Sequence, residues 1–238
     1  MGCAGAANKI YAPRDPAERE GYPDLPSFTY FIVTRPDARE CLYPRCGGYF
    51  VKRVNRATTL CADGIARDEC HVAALDLDAL GPRDAPSAEF AEAFGQRRAI
   101  VRGRLEQIDE RLPSLVDTLI ATEGWRGVTA SEPTGHVSLL TSTGIVCTTF
   151  PCPSFFERLL NASTSRYLAG IEFAANVTPE QREEAERGLH SSGILAAGKT
   201  TRVTGPAGTA QGFAVTELYR RVPPEREAED SNAAPAKP

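Results

Sequence analysis

Two stretches of this chain, CLYPRCGGYFVKRVN at 41–55 and CTTFPCPSFFERLLN at 147–161, carry the same bracket of two cysteines with four residues between them, and an asparagine nine residues further on. A shift of 106 lays Cys41 on Cys147, Cys46 on Cys152, Tyr49 on Phe155, Phe50 on Phe156 and Asn55 on Asn161 without a gap. Further along, a shift of 96 lays Leu75-Asp76-Leu77 on Ile171-Glu172-Phe173, and the ten residues lost match the length of CADGIARDEC at 61–70. Shifts of 95 and 94 then place Ile100 on Leu195, Gly103 on Gly198 and Trp125 on Tyr219. Four weak matches in one order, with their gaps in loops, predict an internal duplication. The expected modules are 28–128, carrying an extra bracketed loop at 61–70, and 135–222. Residues 1–27, with four prolines after position 12, read as a leader or tether, and 223–238 as a disordered tail.

Each module reads as mainly β with one short helix, an α+β pattern. FTYFIVT (28–34), GYFVKRVN (48–55) and HVAALDL (71–77) are rich in aromatic and β-branched residues and predict three strands. SAEFAEAFG (87–95) predicts a helix with Phe90 and Phe94 on one face, Ser87 as cap and Gly95 as stop, and TPEQREEAERG (178–188) is its counterpart. RAIVRGRLE (98–106) and the segment around 114–125 close the first module as two more strands. Three strands, a helix and two strands is the order of an OB-type five-stranded barrel, and also of a small β-sandwich.

The 238 residues, 42% of them hydrophobic, suffice for a sizeable core. A net charge of −4 with only short basic runs excludes a nucleic-acid footprint. No run approaches the roughly 20 apolar residues that cross a bilayer. Of the seven cysteines, six fall into close couples, 41/46, 61/70 and 147/152, whose spacing suits local disulfides better than the tighter ligand pairs of zinc sites. Such bridges belong to an oxidising compartment. Cys3, in Met-Gly-Cys-Ala-Gly, stands apart and is the expected lipid-bearing residue of a lipoprotein.

Catalytic signatures are missing from the sequence. His71, His136 and His190 are its imidazoles, and none lies in a nucleophile elbow, a metalloprotease helix or a phosphate loop. No catalytic residue, cofactor or metal site is therefore expected. Cys70-His71 sits at the end of what reads as a stapled hairpin turning at Asp63-Gly64. Asn55 and Asn161 are expected to bond their own backbone at turns. Trp125 and Tyr219 are the candidate aromatic contacts for a ligand or partner, with core packing as their ordinary alternative.

The brackets CLYPRCGGYFVKRVN and GIVCTTFPCPSFFERLLN, together with CADG…C and VAALDLDALG, resemble a bacterial family known as a domain of unknown function, over about 28–222. The resemblance implies a secreted or lipoprotein-like product and transfers no catalytic residue. The expectation is thus a monomeric, non-catalytic, disulfide-stapled binding module of the bacterial envelope, periplasmic, outer-membrane-anchored through Cys3 or secreted, with a protein or envelope component as partner. Its rivals are a hydrolase with a site between the modules using His136 or His190, an inhibitor of an extracellular enzyme, and a cytosolic zinc protein whose cysteines converge.

Overall fold

The β-branched and aromatic runs of the first half do form strands. In the computed structural model, which describes residues 29–40, 46–80, 88–107, 117–129 and 132–222, they are β1 (Thr29–Pro36), β2 (Tyr49–Arg53), β5 (Cys70–Asp76), β6 (Ala99–Gln107) and β7 (Asp117–Gly127). Their pairings run in a closed circuit: β1 with β2, β2 with β5, β5 with β7, β7 with β6, and β6 back to β1. All are antiparallel except β5 with β7, which is parallel. Helix α1 (Ala88–Phe94) joins β5 to β6 and plugs the circuit with Phe90 and Phe94, whose rings meet edge to face at 4.8 Å. The expected hairpin is present as β3 (Thr59–Leu60) and β4 (Ala66–Arg67), closed by the Cys61–Cys70 disulfide.

The second half repeats the circuit with one break. Its strands are β8 (His136–Ser142), β9 (Phe155–Leu159), β10 (Ser165–Leu168), β11 (Gly170–Phe173), β12 (Ile194–Gly205) and β13 (Gly208–Arg221). β8 pairs with β9, β9 with β10, β11 in parallel with β13, β13 with β12, and β12 with β8. Between β10 and β11 only Ala169 intervenes, its N–H donates to Gln211 O, and at this break the chain passes from pairing with β9 to pairing with β13. Helix α2 (Pro179–Leu189) starts as its sequence predicts: Thr178 accepts from the Gln181 N–H, the Gln181 side chain answers the Thr178 N–H, and Pro179 occupies the first turn.

β7 and β13 pair antiparallel, Tyr219 opposite Gly127 and Arg221 opposite Trp125, which joins both circuits into one mainly antiparallel sheet of eleven strands. Each circuit has its own core, the first around Phe31, Val51, Val72, Phe90 and Leu119 and the second around Leu140, Leu168, Phe213 and Val215. A third cluster lies between them. Val54, Ile100, Trp125, Val137, Leu160, Leu195 and Tyr219 form it, with Tyr30, Ile32 and Leu139 packed against it. β1 shows why both faces of some strands are apolar: Phe31 and Val33 point into the first core, while the alternating Tyr30 and Ile32 point to the seam. A large aliphatic side chain so buried stabilises by about 1.5–3 kcal/mol relative to exposure.

The Cys147–Cys152 couple is also a disulfide, and Cys46 is disulfide-bonded. These bridges overturn the converging-zinc alternative, and no cluster of three or more metal-ligating side chains occurs among the described residues. Cys3, Cys41, Ser87, the leader and the tail lie outside the described residues.

Candidate functional site: the seam and the stapled loop

The seam is held by the two recurring asparagines, which do not bond their own turns as expected. Asn55 follows β2 as Asn161 follows β9, and both take a left-handed backbone, φ 59° and 55°, a region that asparagine tolerates. From there each amide reaches across. Asn55 Nδ2 donates to Val137 O at 2.7 Å and to Leu160 O at 3.0 Å, while its Oδ1 accepts from the Val137 N–H at 2.8 Å. Reciprocally, Asn161 Nδ2 donates to Tyr30 O at 2.7 Å and Val54 O at 2.9 Å, and its Oδ1 accepts from the Tyr30 N–H and the Thr29 hydroxyl. Each side chain thus serves the first strand of the opposite half as a short piece of partner strand.

Glu217 fixes the chain where it leaves β7. Its carboxylate is fully buried, and Oε1 accepts from the N–H groups of Val128, Thr129 and Leu218 at 2.7 to 3.0 Å. Burial pushes its pKa up, against the pull of those hydrogen bonds and of Arg98. Gly127 is required opposite it, since a Cβ there would come within 2.9 Å of the carboxylate.

Along the seam runs a groove of about 470 Å³ whose lining includes Tyr30, Trp125, Leu139, Leu195 and Tyr219. Trp125 and Tyr219 are only 9% and 6% exposed, so neither displays its ring on the surface. Both pack in the seam cluster, and Tyr30 lies against Trp125 with centroids 5.6 Å apart. The lining also includes Glu184 and Arg220, joined through both carboxylate oxygens, and Glu123, held by Arg102 and by Arg221 at 3.5 Å. Neither His136 nor His190 borders this groove. His136 bonds Glu157 at 2.7 Å inside the second circuit, and His190 caps the exposed end of α2. Burial raises the Glu157 pKa, but the hydrogen bonds from His136 and Ser138 and the charge of Arg166 outweigh it and leave the carboxyl lowered.

A second feature is the loop from β8 to β9. The Cys147–Cys152 bridge gathers it, and the Ala207 N–H at the β12–β13 turn donates to Phe150 O. Five large hydrophobic side chains are exposed among the described residues, and four of them, Ile145, Val146, Phe150 and Tyr167, belong to this loop or to neighbouring β10. Val146 is 92% exposed. Tyr167 stands opposite Phe156 in the sheet, and the two rings meet edge to face. In the first half the matching row is Arg35, Phe50 and His71, and the Arg35 guanidinium covers the Phe50 ring at 3.6 Å. In the second half Thr141 stands where Arg35 does, so the row reads Thr141, Phe156, Tyr167 and the aromatic pair has no guanidinium lid from that place.

The family model for a domain of unknown function, DUF6748, matches residues 30–225. The chain belongs to that family. The match spans the seam, the groove and the stapled loop, and stops short of Cys3. No curated protein and no solved structure matches the chain. The two disulfides point to an extracellular or envelope setting, and no helix among the described residues is long and apolar enough to cross a membrane. Sequence reasoning singled out Trp125 and Tyr219 in the groove but missed Glu184, Arg220 and the exposed loop apolars. The run Gly-Ile-Val-Cys-Thr-Thr-Phe-Pro between turn residues was the available signal for the loop, because nothing in it alternates as a buried strand would.

Proposed function

We propose that this chain is a non-catalytic, disulfide-stapled binding protein of the bacterial envelope, built from two copies of one OB-type barrel and tethered by a lipid on Cys3. The matching circuits of strand pairing, each with a parallel closing pair and a helix before its fourth strand, support the duplication. So does the reciprocal exchange of Asn55 and Asn161. The contact surface is the loop 143–154 with the Phe156–Tyr167 pair, and the occupant is a protein partner presenting an apolar segment.

The observation that carries this reading is the exposure of Ile145, Val146 and Phe150 on one disulfide-held loop and of Tyr167 on the strand paired with β9, which that loop enters. Apolar side chains scattered singly need no explanation, whereas several on one loop held rigid lose little entropy on docking. Its surroundings are polar, with Thr143, Thr148 and Thr149 in the same loop. The test is a photo-crosslinker at position 146 in the native envelope, beside a control at 187 on the outer face of α2. A discrete protein adduct at 146 that vanishes with Tyr167→Ala supports the reading; equal labelling at both positions refutes it. Mass spectrometry of the same material, reduced and unreduced, reads the lipid on Cys3 directly.

A further inference from the structure

The seam groove is separate from the loop surface and has its own chemistry. Its lining includes the half-buried Tyr30 and Leu139, with the edges of the more deeply packed Trp125 and Leu195. It also includes two carboxylates and two guanidiniums, paired as Glu184 with Arg220 and Glu123 with Arg221, while Arg102 reaches Glu123 from outside the lining. A charged ligand gains little from such exposed, already paired groups, because solvent screens each interaction. A hydroxyl group suits such a pair without breaking it: it donates to the carboxylate and accepts from the guanidinium at once. Two neighbouring hydroxyls on a saturated ring repeat the match, and the ring's C–H face supplies apolar area against Tyr30.

We infer that the seam groove binds a neutral sugar ring, packed against the half-buried Tyr30 and held through its hydroxyls by the Glu184–Arg220 pair. The volume of about 470 Å³ falls within the range of small-ligand pockets, roughly 300–1,000 Å³. Both halves are needed to form it, since Tyr30 and Trp125 come from the first and Glu184, Arg220 and Tyr219 from the second.

Trp125 is the sole tryptophan, so intrinsic fluorescence reads this site alone. The full chain with its disulfides intact is titrated with glucose, N-acetylglucosamine, cellobiose and diacetylchitobiose, alongside acetate, ethylammonium and N-acetylphenylalaninamide. The expected result is a saturable change with at least one sugar and none with the charged probes. Glu184→Gln weakens it about tenfold or more through loss of the ion-assisted bonds. Ser192→Phe, which fills the groove from an exposed position, abolishes it while the circular dichroism spectrum is kept. Val146→Glu leaves it unchanged, which separates this site from the loop surface. The inference is overturned if no sugar gives a saturable signal up to about 50 mM, well above the millimolar limit of weak specific sites. It is equally overturned if only the apolar amide binds, which would make the groove a seat for a protein side chain.

Discussion

An asparagine amide carries donors and an acceptor side by side, the same pattern as a peptide group, and that is why Asn55 and Asn161 can finish a strand that belongs to the other half. Removing one takes the acceptor from the backbone N–H of Val137 or Tyr30 at the seam, and takes one of two donors from the carbonyl, which keeps the N–H of Leu160 or Val54. Asn55→Ala and Asn161→Ala are each expected to cost about 2–4 kcal/mol in urea denaturation. Asn→Gly at the same positions separates the contributions, because glycine keeps the positive φ and loses only the amide bonds. Gly103 and Gly198 are the other recurring pair with a shared reason: a Cβ would run into the carbonyl oxygen of Ile120 or of Ala214, at register shifts of the β6–β7 and β12–β13 pairs. Asp37 supplies a titration. The Arg39 guanidinium, bonding both its oxygens, holds the carboxyl at about 2 against an ordinary 3.8. A carboxyl lowered on folding adds stability above its ordinary value and loses it as the pH falls from 3.8 toward about 2. NMR titration of Arg39→Ala is expected to move the Asp37 midpoint up toward 3.8.

Among the elements, the two bridges visible in full differ in what they hold. Cys61 and Cys70 lie in the first core and tie β3 to β5, whereas Cys147–Cys152 closes a shorter, exposed loop. Loop closure alone favours the pair with the longer separation, nine residues against five, by only about 0.5 kcal/mol. Burial adds the larger share. Replacing Cys61 and Cys70 with Ala is expected to lower stability by at least 3 kcal/mol, and the same change at 147 and 152 by about 2 kcal/mol. Guanidinium denaturation of the two double variants checks the order. Elements were legible in the sequence where local chemistry decides them. Thr178, Pro179 and Gln181 announce α2, and Phe90 with Phe94 announces the buried face of α1. What stayed hidden depends on distant residues: the break at Ala169 that divides β10 from β11 follows from pairing with Gln211, forty-two positions away. The partners of Asn55 and Asn161 were hidden for the same reason, although the spacing of 106 marked both as a pair.

The seam decides how the whole molecule unfolds. Two closed circuits with separate cores would melt independently if only a connector joined them. Here β7 pairs with β13, the third cluster takes Val54, Ile100 and Trp125 from one half and Leu160, Leu195 and Tyr219 from the other, and two asparagines cross in opposite directions. Exposing those six side chains would cost on the order of 10 kcal/mol at about 1.5–3 kcal/mol each, more than a typical domain's net stability of roughly 5–15 kcal/mol leaves to spare in one half. Equilibrium unfolding is therefore expected to show one transition, with Trp125 fluorescence and far-ultraviolet circular dichroism coincident. The double variant Asn55→Ala/Asn161→Ala removes about 4–8 kcal/mol from the coupling and not from either core. Its two probes are then expected to separate, fluorescence changing first because Trp125 reads the seam while the strands of both circuits persist. Coincident curves in the double variant would mean that the apolar cluster alone carries the coupling, and the asparagines would be left with setting the register of the two halves.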